Sequence, residues 1–310
     1  MLNSLVRTSM RAVCAALLIT SLVFGLGACS APKSTPPRSD ADSTADGPAA
    51  DSSRVPVPQP AADTLAHPTS YTRVPVEHSR HVRALIDSLG EEHWTQVLKL
   101  NRVDLAHVRD RDSLILPDVF GDSLDLSPFP RTLAAVRDTA KLLLVSLRLQ
   151  AFAAYDSGQL VQWGPTSTGR KLKPTPAGLY HVTWKDRDRI STVDDEWRLF
   201  WCVNIDNHEG VSLHQYELPG RPASHSCVRL LESDAMWVYA WAEQWKLSAN
   251  GRLAATGTPV VVFGAWAWGE RAPWKHLPED PAVGQLAPQE VEEALRVLRE
   301  ADRPVFTPTP

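Results

Sequence analysis

From His214 to Leu230 the chain reads His-Gln-Tyr-Glu-Leu-Pro-Gly-Arg-Pro-Ala-Ser-His-Ser-Cys-Val-Arg-Leu, a run that concentrates residue types able to do chemistry together. Cys227 is a soft nucleophile that reacts as its thiolate. It therefore needs positive neighbours to lower its pKa and a nearby imidazole to take its proton and hand it to a leaving group. His225 and Arg229 lie two residues to either side of it, and His208 and His214 lie upstream. The pattern points to nucleophilic thiol catalysis. The same histidines with Cys202 and Cys227 are also possible metal ligands, but their spacing is not that of a zinc ribbon or finger, and Arg229 beside them would oppose a cation. No metal and no cofactor is expected.

The elements that must position these residues read mostly as strands. Lys141 opens an apolar run, Leu142 to Leu149, followed by Ala151 to Tyr155, an Asp156-Ser157-Gly158 turn and an alternating Gln159 to Trp163. Further strands are expected at Gly178 to Trp184, Arg198 to Val203, Val211 to His214 and Pro259 to Phe263. One helix interrupts them, Asp234 to about Lys246 with Ser233 as its N-cap; Trp237, Trp241 and Trp245 fall on one stripe of it and read as packing surface. The fold class is mainly β: a mostly antiparallel β-sandwich or open barrel with a helix after the reactive motif.

Upstream, His81 to Leu100 has helical spacing of apolar residues around a Gly90 break, and Leu124 to Ala140 reads as a connector with a short helix. Val97-Leu98-Lys99-Leu100-Asn101 followed by Arg111-Asp112-Ser113-Leu114-Ile115-Leu116-Pro117 resembles the second half of a LysM glycan-binding module, without the opening Gly-Asp-Thr-Leu strand. This segment reads either as a glycan binder or as a helical cap that binds nothing. Beyond Ala265 the chain is rich in Trp and Pro, with a short helix from Pro288 to Ala301.

Pro222-Ala223-Ser224-His225-Ser226-Cys227-Val228-Arg229-Leu230 resembles the signature of the YkuD family of L,D-transpeptidases, a Ser/Thr-His-Gly-Cys core followed by an apolar residue and commonly arginine. Ser167-Thr168-Gly169, Lys173 to Gly178 (Lys-Pro-Thr-Pro-Ala-Gly) and Gly257-Thr258-Pro259-Val260-Val261-Val262 resemble other pieces of the family in the family's order. The resemblance implies a YkuD-type β-sandwich or open barrel, with Cys227 as nucleophile and His214 as base. His208 is the alternative base: fifteen residues separate it from Ser224, as in many members, whereas nine separate His214. His214 is preferred because it ends the alternating Val211-Ser212-Leu213 segment. Ser224 and His225 would shape the pocket, and Arg229 would meet a substrate carboxylate. Ser226 stands where most members have glycine, which matters if that backbone needs positive φ. Cys202 has no family counterpart and reads as a core thiol or as a redox partner of Cys227.

The implied reaction cuts a peptidoglycan stem peptide through a Cys227 thioester, with backbone donors near Ser226 and Cys227 as the oxyanion site, and passes the acyl group to an amine. A hydrolase on the same fold and a non-catalytic wall-binding lipoprotein remain open at this point.

The rest of the sequence concerns delivery. The 310 residues carry a net charge of -4, against a nucleic-acid partner, and four cysteines, too few for a disulfide scaffold. Arg7 and Arg11 precede an apolar run, Ala12 to Leu26, and Leu26-Gly27-Ala28-Cys29 resembles a bacterial lipobox. Without residues 1–28, the chain has 30 basic and 36 acidic residues, net -6. Eight prolines between Pro32 and Pro68, among Ser, Ala, Asp and Thr, leave too little apolar surface to fold. The expected organisation is a signal peptide at 1–28, a tether at 29–72, the LysM-like or helical segment at 73–118, a connector at 119–140, the catalytic domain at 141–264 and an appendage at 265–310. The expected location is exported and anchored to a membrane through lipidated Cys29, with Ser30 fitting the outer membrane, facing the periplasm, in a cell that has two.

Overall fold

A computed structural model describes residues 70–191 and 197–301; the expected signal peptide, Cys29 and the expected tether up to residue 69 lie outside the described residues. The chain opens with β1 (Tyr71–Pro75), α1 (Ser79–Asn101) and β2 (Ser113–Pro117), and β1 pairs antiparallel with β2 from Tyr71↔Pro117 to Pro75↔Ser113. An opening strand is therefore present, without a Gly-Asp-Thr-Leu sequence, and it begins inside the span whose composition reads as tether. Gly90 breaks α1 at φ 74, ψ 173, a backbone that glycine adopts without steric cost. Val82, Trp94, Val97 and Leu100 turn the apolar stripe of the helix inward.

Among the described residues, eleven strands and two α-helices follow from Lys141 onward: β3 (Lys141–Ser146), β4 (Ala151–Asp156), β5 (Gln159–Ser167), β6 (Gly178–His181), β7 (Lys185–Ile190), β8 (Arg198–Asp206), β9 (Val211–Gln215), β10 (Val228–Leu230) and α2 (Glu232–Trp241), then a small hairpin of β11 (Lys246–Leu247) with β12 (Leu253–Ala255), and finally β13 (Pro259–Phe263) and α3 (Pro288–Ala301). Nine of the strands form one curled sheet in the order β6-β13-β3-β4-β5-β10-β9-β8-β7. Most pairs are antiparallel; β13 with β3 and β10 with β9 are parallel. Mainly β therefore holds, as one half-barrel sheet whose faces are covered by helices and irregular segments.

The two-residue period of the strands explains both cores. Leu143, Val145, Val260 and Val262 face a core shared with Val203, Leu213, Val228 and, from α2, Ala235 and Val238. Leu142, Leu144, Val261 and Phe263 face the opposite way, onto Phe129, Val136 and, from α3, Ala294. Strands buried on both faces read as unbroken apolar runs, which is why β3 and β13 are conspicuous in the sequence. It also makes the C-terminal helix part of the fold: α3 covers a sheet face. Between β4 and β5, Ser157 and Gly158 both have positive φ (48° and 78°), the requirement of a two-residue type I′ hairpin.

Three elements depart from the expectation. The first strand stops at Ser146, because 147–150 turn. Lys-Asp-Arg-Asp-Arg-Ile forms the edge strand β7, whose charges carry no apolar alternation and suit an edge that must not pair further. Helix α2 starts at Glu232 with Leu231 at its N-cap, not Ser233, and ends at Trp241. It ends there because the chain turns to the sheet: Glu243 N–H donates to Thr258 Oγ1 at 2.9 Å and Trp245 N–H to the Val182 carbonyl at 3.0 Å. Trp237 and Trp241 stack at 5.1 Å and pack on the first core, whereas Trp245 lies beyond the helix.

Candidate active site

The reactive run is bent into a tight loop between β9 and β10, and polar groups from the end of β5 hold its shape. The N–H groups of Ala223 and Ser224 donate to the Thr168 carbonyl at 2.9 and 3.0 Å, and Arg170 N–H donates to the Ser224 carbonyl at 3.0 Å. Buried Ser224 Oγ donates to the Cys227 carbonyl at 2.5 Å, closing the loop on itself. Thr175 Oγ1 donates to the Ser226 carbonyl at 2.7 Å and accepts from Gly169 N–H at 2.9 Å. A Cβ on Gly169 would stand 2.2 Å from the Lys173 carbonyl oxygen, so only glycine lets these segments close. The Ser-Thr-Gly and Thr-Pro-x-Gly pieces thus form a brace for the loop. Ser226 has φ 90, the left-handed region that glycine favours, so the serine sits where the backbone does require positive φ.

His214 occupies β9, and the parallel β9/β10 register sets it beside Arg229, two residues after Cys227. Its Nδ1 donates to the Gln215 carbonyl at 2.9 Å, which leaves Nε2 as the acceptor nitrogen. Burial at 3% exposure pulls the His214 pKa down to about 4, with the positive charge of Arg229 adding to the fall and the Gln215 carbonyl opposing it. The ring is neutral at physiological pH and competent to take a proton.

Cys227 lies against the β8–β9 hairpin, its thiol donating to the Gly210 carbonyl at 3.6 Å. Burial pushes this thiol up from its ordinary pKa, and the Ser212 backbone and Arg229 counteract that only in part. The expectation that positive neighbours leave a lowered thiol pKa is therefore corrected: desolvation outweighs them, and the resting pair is thiol and neutral imidazole.

His225 takes a different role from His214. Arg170 Nη2 donates to His225 Nε2 at 2.6 Å, and the ring leans on Trp197 at 4.9 Å. Because a guanidinium is donor-only, that nitrogen's lone pair is committed to Arg170. His208 sits exposed in the β8–β9 turn, its N–H donating to Asp206 Oδ1 at 2.8 Å. Arg229 stacks over Tyr216 at 4.5 Å and donates to the Glu217 carbonyl at 3.5 Å. A cleft of about 290 Å³ is lined by His208, His214, Ser224, His225, Cys227 and Arg229, so the structure brings these six predicted residues to one opening, whereas Ser226 is not part of its lining. Cys202 also lines it, fully buried on β8, with its pKa raised to about 11 by burial. Among the described residues, no group of three or more His, Cys, Asp or Glu side chains could hold a metal ion.

Arg170, Thr175, Trp197 and Ser212 also shape the site, although no pattern in the sequence marks them. Thr175 lies in the Lys173 to Gly178 piece, but a hydroxyl's partner depends on how the loops close; Trp197 follows polar residues and carries no local signal.

Residues 140–262 match the family model described as the L,D-transpeptidase catalytic domain, YkuD. This segment is a YkuD domain. No curated protein matches the chain. Solved structures similar to it include an L,D-transpeptidase from Mycobacterium tuberculosis H37Rv (27% identity, 40% of this chain and 58% of that one, TM-score 0.32). Others are one from Stackebrandtia nassauensis (25%, 41% and 57%, 0.34) and one from Mycobacterium smegmatis (20%, 40% and 59%, 0.33). The chain spans less than two thirds of the length of each of these three. The YkuD domain begins at the start of β3 and ends in β13, so the β1–α1–β2 segment and α3 lie outside it.

Proposed function

We propose that the protein is an L,D-transpeptidase that acts on peptidoglycan stem peptides through a Cys227 thioester. The observation that carries this reading is a cysteine and a neutral, tautomer-fixed histidine lining one cleft of a YkuD domain. His214 Nε2 takes the thiol proton as Cys227 Sγ attacks the carbonyl between the diamino acid at stem position three and the terminal D-Ala. The S–C bond forms, and backbone N–H groups of the 226–227 turn stabilise the oxyanion. The C–N bond then breaks, and D-Ala leaves with the proton from His214. An amine of a second stem, or of a protein, attacks the thioester, its proton passes to His214, and the C–S bond breaks to regenerate the thiol. The neutral resting pair suits this order, because proton transfer accompanies attack and no preformed ion pair is needed. Arg229 and Ser224 bind and shape the donor end. The chain is exported and held to a membrane through lipid on Cys29, the outer membrane facing the periplasm where two membranes exist; loss of acyl labelling and of membrane fractionation in Cys29→Ala tests this.

Incubating purified protein with stem-peptide muropeptides tests the activity. New 3-3 dimers that vanish in Cys227→Ala are expected. Cys227-dependent shortened stems without dimers would make water the acceptor, and no Cys227-dependent product would overturn the reading. His208→Ala should retain acylation and His214→Ala should lose it; the reverse would move the base to His208.

A further inference from the structure

The loop that joins the base strand to the nucleophile is held from outside the YkuD domain. Leu218 N–H donates to Asp104 Oδ2 at 2.7 Å, and Asp104 N–H donates to the Leu218 carbonyl at 3.1 Å. The other oxygen of Asp104, Oδ1, accepts from His107 N–H at 2.9 Å and meets His107 Nδ1 at 2.8 Å, which fixes the carboxylate's orientation. Val103 forms an isolated antiparallel bridge with Pro219, and a Cβ on Gly220 (φ 67) would stand 3.1 Å from Val103 Cγ1. Leu218 and Val103 are both fully buried, so this is a packed junction.

The residues bearing Asp104 are themselves fixed to the sheet. Lys99 at the end of α1 donates to Asp234 Oδ1 of α2 at 2.8 Å. Arg102, fully buried between Trp163 and Trp274, donates to the Leu149 carbonyl at 3.0 Å. From the clamped Leu218 the chain runs back to Glu217, whose carbonyl holds Arg229, to Tyr216, on which Arg229 stacks, and to Gln215, whose carbonyl sets the His214 tautomer. It runs forward to Arg221, whose carbonyl accepts from Ser167 Oγ at 2.7 Å, and so into the nucleophile loop.

We infer that Asp104 is a positioning residue for the Cys227–His214 pair, and that the working catalytic unit includes the β1–α1–β2 segment. The inference rests on the proposed reaction, since it names what holds that reaction's groups in place. Its physical ground is that an aligned proton transfer is lost when one partner moves by about an ångström, at a cost of up to roughly 100-fold.

The test is the pH–rate profile of iodoacetamide alkylation at Cys227, followed by peptide mass spectrometry on the full chain, together with hydrogen exchange of the 216–221 amides. This reads the thiol–imidazole pair without a stem peptide, so it can fail while the transpeptidase reading stands, and His214→Ala run in parallel tests the base separately. Asp104→Ala is expected to slow alkylation near neutral pH by roughly 10- to 100-fold and to speed 216–221 exchange, with cooperative melting kept. Asp104→Asn, which keeps an acceptor for Leu218 N–H, should restore most of the rate. If Asp104→Ala does not fold, Asp104→Ser, too short to reach Leu218, takes its place. A folded Ala or Ser variant with wild-type profile and exchange overturns the inference, and so does an Asn variant as slow as Ala.

Discussion

His214 Nδ1 donates to the carbonyl of its own neighbour Gln215 at 2.9 Å, so the strand that carries the base also sets its tautomer. With the ring buried and its pKa near 4, acylation of Cys227 should persist well below the ordinary histidine value of 6.5 and fall only as pH approaches 4. Because Arg229 contributes to the lowering, Arg229→Gln should move that acid limb upward. A limb at 6.5 in the wild type would show that His214 is not the titrating base.

The same burial makes stability depend on pH with a definite sign. The unfolded chain binds a proton at His214 below 6.5, but the folded chain resists it until about 4. Between these values the unfolded state holds more protons, so this contribution is complete above 6.5 and is lost as pH falls towards 4. Urea titrations of His214→Phe should show a shallower loss of stability over that window than the wild type.

Ser226 keeps φ 90 without being glycine, and such a residue costs of order 1–3 kcal/mol. Ser226→Gly should therefore raise stability by about 1 kcal/mol, a melting shift of roughly 2–4 °C, while the Thr175 bond to the 226 carbonyl persists. No shift in a thermal melt would show that the surrounding loop, not the residue, absorbs the cost.

How much of this was legible in the sequence follows from what each feature depends on. The apolar runs of β3 and β13 and the Asp-Ser-Gly turn are local patterns and could be read directly. Edge strand β7 could not, because its charges answer to solvent and not to a core. Cys227, His214 and Arg229 were readable as types in one run, and the alternating segment favoured His214 over His208, but the β9/β10 register that sets His214 beside Arg229 was not readable. The direction of the thiol pKa was not readable either, since charged neighbours are visible in a sequence and burial is not. Asp104 was invisible as a positioning residue: its partner lies 114 positions away.

The two described cysteines should separate by reactivity. Cys202 is fully buried with its pKa near 11, while Cys227 is partly accessible at the cleft. Reactivity follows thiolate fraction and access, so iodoacetamide at neutral pH should label Cys227 first and leave Cys202 unmodified in the folded protein. Cys202→Ala should keep acylation at Cys227. If it abolished acylation with the fold intact, Cys202 would belong to the chemistry.

The Lys99–Asp234 pair joins α1 to α2 with Asp234 wholly buried. Asp234 Oδ1 accepts from Lys99 Nζ at 2.8 Å and from Gln162 Nε2 at 2.9 Å, and Lys99 also donates to the Trp163 carbonyl at 3.2 Å. Burial raises the Asp234 pKa, and the charge and hydrogen bond of Lys99, with the Gln162 hydrogen bond, oppose that rise. Removing it alone strands an acid in the core, and Lys99→Met should cost about 3–5 kcal/mol at neutral pH. The deficit should shrink on acidification, because the stranded Asp234 can then be protonated in both states. Removing the charge as well, in Lys99→Met/Asp234→Asn, should recover much of the loss, since the desolvation cost of the unpaired carboxylate is gone. Urea unfolding of the two single variants and the double closes the cycle. A Lys99→Met variant within about 1 kcal/mol of wild type would show that the pair is solvated in solution and does not fasten the helices together.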